Sequence, residues 1–194
     1  MIASNFRVNV MNNLYRVLVN YISVSIMCLT FCYKVYANEC QGKPTPPIWL
    51  KSTFREIHDD SLLNKALGEP LNGGLCQGKV YVLNKSIRLY RVWNSTNPDS
   101  KLGNWWPFLP PKGAIKNYRK NYAICYQWSP LDKLISCKIK IGTKVVIGNG
   151  QSAKCSPYLT YPTSAVKQIF ISTPSKNLSK CKTFIGVFRW QTSN

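Results

Sequence analysis

The chain has 194 residues, 45% of them hydrophobic, and a formal net charge of +19 from 26 Lys and Arg against 7 Asp and Glu. Beyond Glu69 it holds no glutamate and only Asp99 and Asp132, so this part lacks the paired acids of glycoside cleavage and the carboxylate clusters of calcium or magnesium sites. One histidine, His58, and no G-x-S-x-G motif also exclude two-histidine nuclease and serine-triad chemistry.

In chain order, residues 1–37 read as a signal peptide. Arg7 and Arg16 precede an apolar run from Val17 to Tyr33, Val35-Tyr36-Ala37 offers small residues to a signal peptidase, and no acid occurs. Asn20, Ser23 and Ser25 interrupt the run, which argues against a lasting membrane anchor. The expected product is a single domain of residues 38–194, secreted or periplasmic. Loss of Arg7, Arg16 and Lys34 lowers its charge by three, to +16. It keeps Cys40, Cys76, Cys125, Cys137, Cys155 and Cys181. In an exported chain these read as three disulfides whose connectivity the spacing leaves open. Metal binding is the weaker reading, because no two cysteines stand at zinc-ligand spacing.

Residues 38–75 are expected to form a Pro-rich arm (Pro44, Pro46, Pro47) followed by a helix. Thr53-Phe54-Arg55-Glu56 has a capping-box pattern, and Ile57, Leu62, Leu63 and Ala66 give the helix an apolar face to about Leu67. Residues 76–194 read as a β-rich core. Strands are expected at Val80–Leu83, Ile87–Trp93, Tyr118–Trp128, Ser136–Ile141, Lys144–Ile147, Val166–Ile171 and Thr183–Trp190. Ser129-Pro130-Leu131-Asp132 resembles a helix start, and Gly148-Asn149-Gly150 reads as a turn. The class is therefore α+β, with a short N-terminal helix on a disulfide-bonded β-rich domain.

His58, between Glu56 and Asp59-Asp60, reads as an ordinary solvated histidine rather than a general base. More informative are Arg88-Leu89-Tyr90-Arg91-Val92-Trp93, Gly103-Asn104-Trp105-Trp106 and Gly148-Asn149-Gly150-Gln151-Ser152. A strand-borne arginine presents a planar fork to a pyrophosphate. Tryptophans offer faces on which a base or nicotinamide ring can stack. A glutamine can hold a ribose hydroxyl or orient a water without adding charge. Each feature also has a purely structural reading: an edge-strand arginine, core tryptophans and a plain hairpin turn.

Leu89-Tyr90-Arg91-Val92 resembles the first-strand "Y-R" motif of the ADP-ribosyltransferase superfamily. The order of strand arginine, polar loop, glycine-aromatic stretch and late glutamine is similar to necrotizing-toxin-type NAD glycohydrolases, over roughly residues 87–171. The resemblance implies a split-sheet core and NAD as substrate, with no further cofactor. It makes Arg91 the phosphate grip, Trp105 or Trp106 the stacking aromatic, and Gln151 the glutamine beside the nicotinamide ribose, with Gln168 its competitor. Arg119 becomes a second phosphate contact and Ser152 a neighbouring substrate contact. The chain lacks the Ser-Thr-Ser strand and Glu-x-Glu of transferases, so water is the expected acceptor. A toxin or effector is implied, with an immunity protein or host target as partner. Two other classes stand beside it. One is a basic binder of nucleic acid or an anionic surface, ribonuclease included, suggested by the charge and by Tyr118-Arg119-Lys120-Asn121-Tyr122. The other is a non-catalytic secreted module such as an adhesin.

Overall fold

The computed structural model describes residues 39–192. The expected signal peptide, with Cys28 and Cys32, lies outside the described residues. From Cys40 onward the chain forms one compact unit, β-rich with few helices and held by three disulfides.

Among the described residues eleven strands, all paired antiparallel, build two principal sheets and a hairpin. The larger sheet runs β1 (Phe54–Ile57), β2 (Leu75–Leu83), β6 (Lys144–Gly150), β9 (Ser164–Phe170), β4 (Trp105–Pro107) in spatial order. The smaller runs β11 (Gln191–Thr192), β10 (Leu178–Ile185), β5 (Lys133–Ile139), β3 (Arg88–Trp93). β7 (Ala153–Ser156) and β8 (Leu159–Tyr161) form the hairpin. Three α-helices of the described residues accompany them: α1 (Asp60–Ala66), α2 (Ile115–Tyr122) and the single turn α3 (Pro174–Asn177).

Period-2 alternation decides which sheet face meets which core. Leu89, Ile135, Cys137 and Ile139 of the smaller sheet meet Tyr81, Leu83, Val145, Ile147 and Ile169 of the larger in one buried cluster between them. The intervening residues face outward. Val80, Val146 and Phe170 receive Leu62 and Ala66 of α1 on the far side of the larger sheet. Val92 and Leu134 receive Tyr118 of α2 on the far side of the smaller. The chain thus passes repeatedly from one sheet to the other, as at β2–β3 and β5–β6, although Asn84-Lys85-Ser86 and Gly142-Thr143 look locally like hairpin turns.

Five expectations are corrected. The Thr53–Glu56 capping box opens no helix: Ile48–Thr53 is a 3₁₀ turn and Phe54–Ile57 is the edge strand β1, paired with Leu83–Val80. Cross-strand pairing wins here, since Glu56 finds Lys79 at 2.8 Å on β2 rather than a helix N-terminus. The helix starts later, capped by Asp59, whose carboxylate accepts from the Leu62 amide. Tyr118–Trp128 is no strand. Ile115, Tyr118 and Tyr122, spaced three and four apart, make α2, which ends where Ala123 turns left-handed at φ 49°. Ser129–Asp132 forms no helical turn, because the Ser129 hydroxyl accepts the Leu131 amide and Leu131 itself takes φ 60°. Gly148–Gly150 is the buried end of β6 and not a turn. The last predicted strand stops at Ile185, and only Gln191–Thr192 returns to pair with it.

The disulfides are Cys40–Cys76, Cys125–Cys155 and Cys137–Cys181. The first ties the arm to β2, the second fastens the segment after α2 to β7, and the third crosslinks neighbouring strands β5 and β10.

Candidate functional site

β3 is the edge of the smaller sheet and β4 the edge of the larger, and the chain segment 94–104 joins them. A cleft of about 360 Å³ opens where these edges part. Arg91, Trp93, Trp105 and Gln168 line it, with Tyr122 and Trp128 contributed by α2 and the segment after it. None of its lining residues is acidic, and Arg91 is the one charged side chain among them.

Arg91 projects from β3 on the same face as Leu89 and is almost enclosed. Its Nε donates to the Ser100 carbonyl at 2.7 Å and Nη1 to the Trp105 carbonyl at 2.9 Å. Nη2 has no hydrogen-bond partner among the described residues and rests against Gly103. A Cβ at that glycine would stand 2.3 Å from Nη2, so a larger residue there would push the guanidinium from this position. No carboxylate forms an ion pair with Arg91 among the described residues. Burial pulls its pKa down to about 10, which still leaves it cationic at neutral pH. A partly buried cation whose hydrogen-bond partners are neutral carbonyls favours an incoming anion.

The two glutamines separate clearly. Gln168, on β9 between Gly148 of β6 and Pro107 of β4, is 5% exposed and lines the cleft. Its carboxamide makes no side-chain hydrogen bond among the described residues. Gln151 is as deeply buried but fully engaged. Its Nε2 donates to the Gly68 carbonyl at 3.2 Å, and its Oε1 accepts the Ser152 amide at 2.8 Å and hydroxyl at 3.2 Å. Ser152 in turn accepts the Leu71 amide at 2.9 Å. This pair fastens the 68–74 loop, whose Asn72 and Gly74 form one wall.

The tryptophans divide as strand neighbours do. Trp105 sides with the cleft, its ring 4.9 Å from that of Phe170. Trp106 is fully buried between the sheets and donates Nε1 to the Gly103 carbonyl at 2.7 Å. Arg119 does not line the cleft. It donates to the carbonyls of Ile124, Ser129 and Pro130, drawing the end of α2 and the following loop into one wall. His58 is 87% exposed, pairs with Asp60 at 3.1 Å, and lies away from the cleft.

The structure therefore brings Arg91, Trp105 and Gln168 together and leaves Gln151, Ser152, Trp106 and Arg119 as supports around them. Sequence reasoning missed Trp93, Tyr122 and Trp128 as lining residues. The helical spacing of Ile115, Tyr118 and Tyr122 is the signal that would have placed the last two. No group of three His, Cys, Asp or Glu side chains among the described residues could hold a metal ion. Nor is any helix of the described residues long and apolar enough to cross a membrane. The chain matches no family model, no curated protein and no solved structure.

Proposed function

We propose that the cleft binds NAD and cleaves its bond to nicotinamide, with water as acceptor. The observation that carries this reading is the enclosed, unpaired guanidinium of Arg91 in a cleft that also presents the Trp105 ring and the Gln168 carboxamide and contains no acid. The free edge of the fork suits a phosphate oxygen of the ligand. A flat ring suits stacking of a heteroaromatic group.

Scission takes the bonding pair from ribose C1′ onto the nicotinamide nitrogen, which neutralises the pyridinium and releases a neutral leaving group. Water adds to the cationic C1′ and returns a proton to solvent. No strong base is needed, which fits a cleft without carboxylates. The Gln168 carbonyl orients a ribose hydroxyl or the attacking water, Arg91 anchors the phosphates, and the walls built by Gln151 and Arg119 hold both in place. Such positioning contributes on the order of 7–11 kcal/mol in well-oriented reactions. A toxin or effector role, with an immunity protein or host target as partner, accompanies the reading.

Nucleic-acid binding through the basic surface draws on lysines scattered over β5, β6, β10 and the loops, exposed and away from the cleft. Oxidised protein mixed with NAD tests the first reading directly, by chromatography of released nicotinamide. Release is expected from the wild type and is expected to fall about 100-fold in Arg91→Ala, by the scale on which single preorganised donors matter. An inert wild type beside a working control enzyme removes the proposal; heparin retention with RNA breakdown in its place points to a nuclease.

A further inference from the structure

Two groups, one lining the cleft and one beside it, have no place in that account. Trp93 stands two residues beyond Arg91 on the same face of β3, and its indole Nε1–H is covered yet has no hydrogen-bond acceptor. Covered donors without acceptors are rare in folded proteins and mark places where a missing group belongs. Lys101 follows Ser100, whose carbonyl holds Arg91, and its Nζ lies 5.8 Å from the centre of the Trp93 ring. The same corner therefore holds three donors without a hydrogen-bond acceptor among the described residues: Arg91 Nη2, Trp93 Nε1 and the Lys101 ammonium. No acidic residue lines the cleft to answer them.

We infer that Trp93 and Lys101 form a second anion subsite beside Arg91, so that the cleft selects a ligand with two linked phosphates over one with a single phosphate. Residues two apart on a strand are seated about 7 Å from one another, a spacing that two joined phosphates bridge better than one. Arg91 takes one phosphate through its free nitrogen. The other draws the Lys101 ammonium from over the indole ring and accepts the Trp93 N–H. The cation–π contact holds the lysine at the rim in the meantime. This subsite deepens the NAD reading and rests on the same cleft, but it concerns only the diphosphate.

Calorimetric titration of the oxidised protein with ADP and with AMP tests it without reference to NAD cleavage. Wild type is expected to bind ADP at least about tenfold more tightly than AMP, the scale of a charge-assisted hydrogen bond. Trp93→Phe keeps the ring but lacks the donor, and Lys101→Met keeps the stem but lacks the charge. Each is expected to weaken ADP binding about tenfold, to leave AMP binding within about twofold, and to retain wild-type near-ultraviolet dichroism. Equal affinity for ADP and AMP in the wild type, or wild-type ADP affinity in both variants, overturns the subsite. If the variants behave as expected while NAD stays intact, the subsite stands and the glycohydrolase reading falls. If NAD is cleaved and the variants bind ADP normally, the reverse holds.

Discussion

Arg91 has its position from three neighbours that never touch a ligand: the carbonyls of Ser100 and Trp105, and the bare Cα of Gly103. Gly103→Ala is therefore expected to displace the guanidinium, because its Cβ would stand 2.3 Å from Nη2, and to reduce nicotinamide release as Arg91→Ala does while melting within a few degrees of wild type. The two glutamines allow a sharper separation. Gln168→Ala is expected to lower nicotinamide release by about 10- to 100-fold with little change in stability, since its carboxamide makes no side-chain hydrogen bond among the described residues. Gln151→Ala leaves the Gly68 carbonyl and Ser152 amide without partners and is expected to cost about 1–3 kcal/mol in urea unfolding. The resemblance put Gln151 beside the nicotinamide ribose and left Gln168 as its competitor. Only the register of β9 against β4 and β6 shows which one reaches the cleft.

At the level of elements, β3 was legible from its alternation. Leu89 and Trp93 face the inter-sheet core while Tyr90 and Val92 face α2, the division that the pattern predicts. The Trp105–Trp106 pair follows the same rule: Trp105 lines the cleft and packs on the outer-face cluster beside Phe170, and Trp106 enters the inter-sheet core. Trp106→Ala is accordingly expected to destabilise by about 3–5 kcal/mol, read as a lower denaturant midpoint, since a fully buried indole and its bond to Gly103 are both lost. Two elements were misread for one reason. Thr53–Glu56 and Tyr118–Trp128 each satisfy a local template, and in each the decisive partner is distant in sequence: β2 for the first, the outer face of the smaller sheet for the second. A short segment with weak propensity adopts the structure that its partner can pair with or cover.

For the molecule as a whole, burial of tyrosines sets the alkaline limit. Tyr81, desolvated and beside Glu56, and Tyr122, desolvated in the wall between α2 and the cleft, are both pushed up to about 12. A tyrosine raised in the folded state favours folding fully below its unfolded pKa of about 10, and that contribution is lost as pH rises toward 12. Urea midpoints are expected to hold from pH 8 to 9.5 and to fall steadily by pH 11, with the tyrosinate absorbance of Tyr81 and Tyr122, read as the difference from their Phe variants, appearing only as the protein unfolds. Sequence alone determined the strong positive charge, the acid-poor C-terminal region, the β-rich class and the even set of cysteines, because composition and period-2 patterning are local properties of the chain. It could not pair Cys125 with Cys155, choose between Gln151 and Gln168, or bring Arg91 to Trp105. Those depend on which strands become edges and where two sheets part, and edges exist only once distant segments have taken their partners.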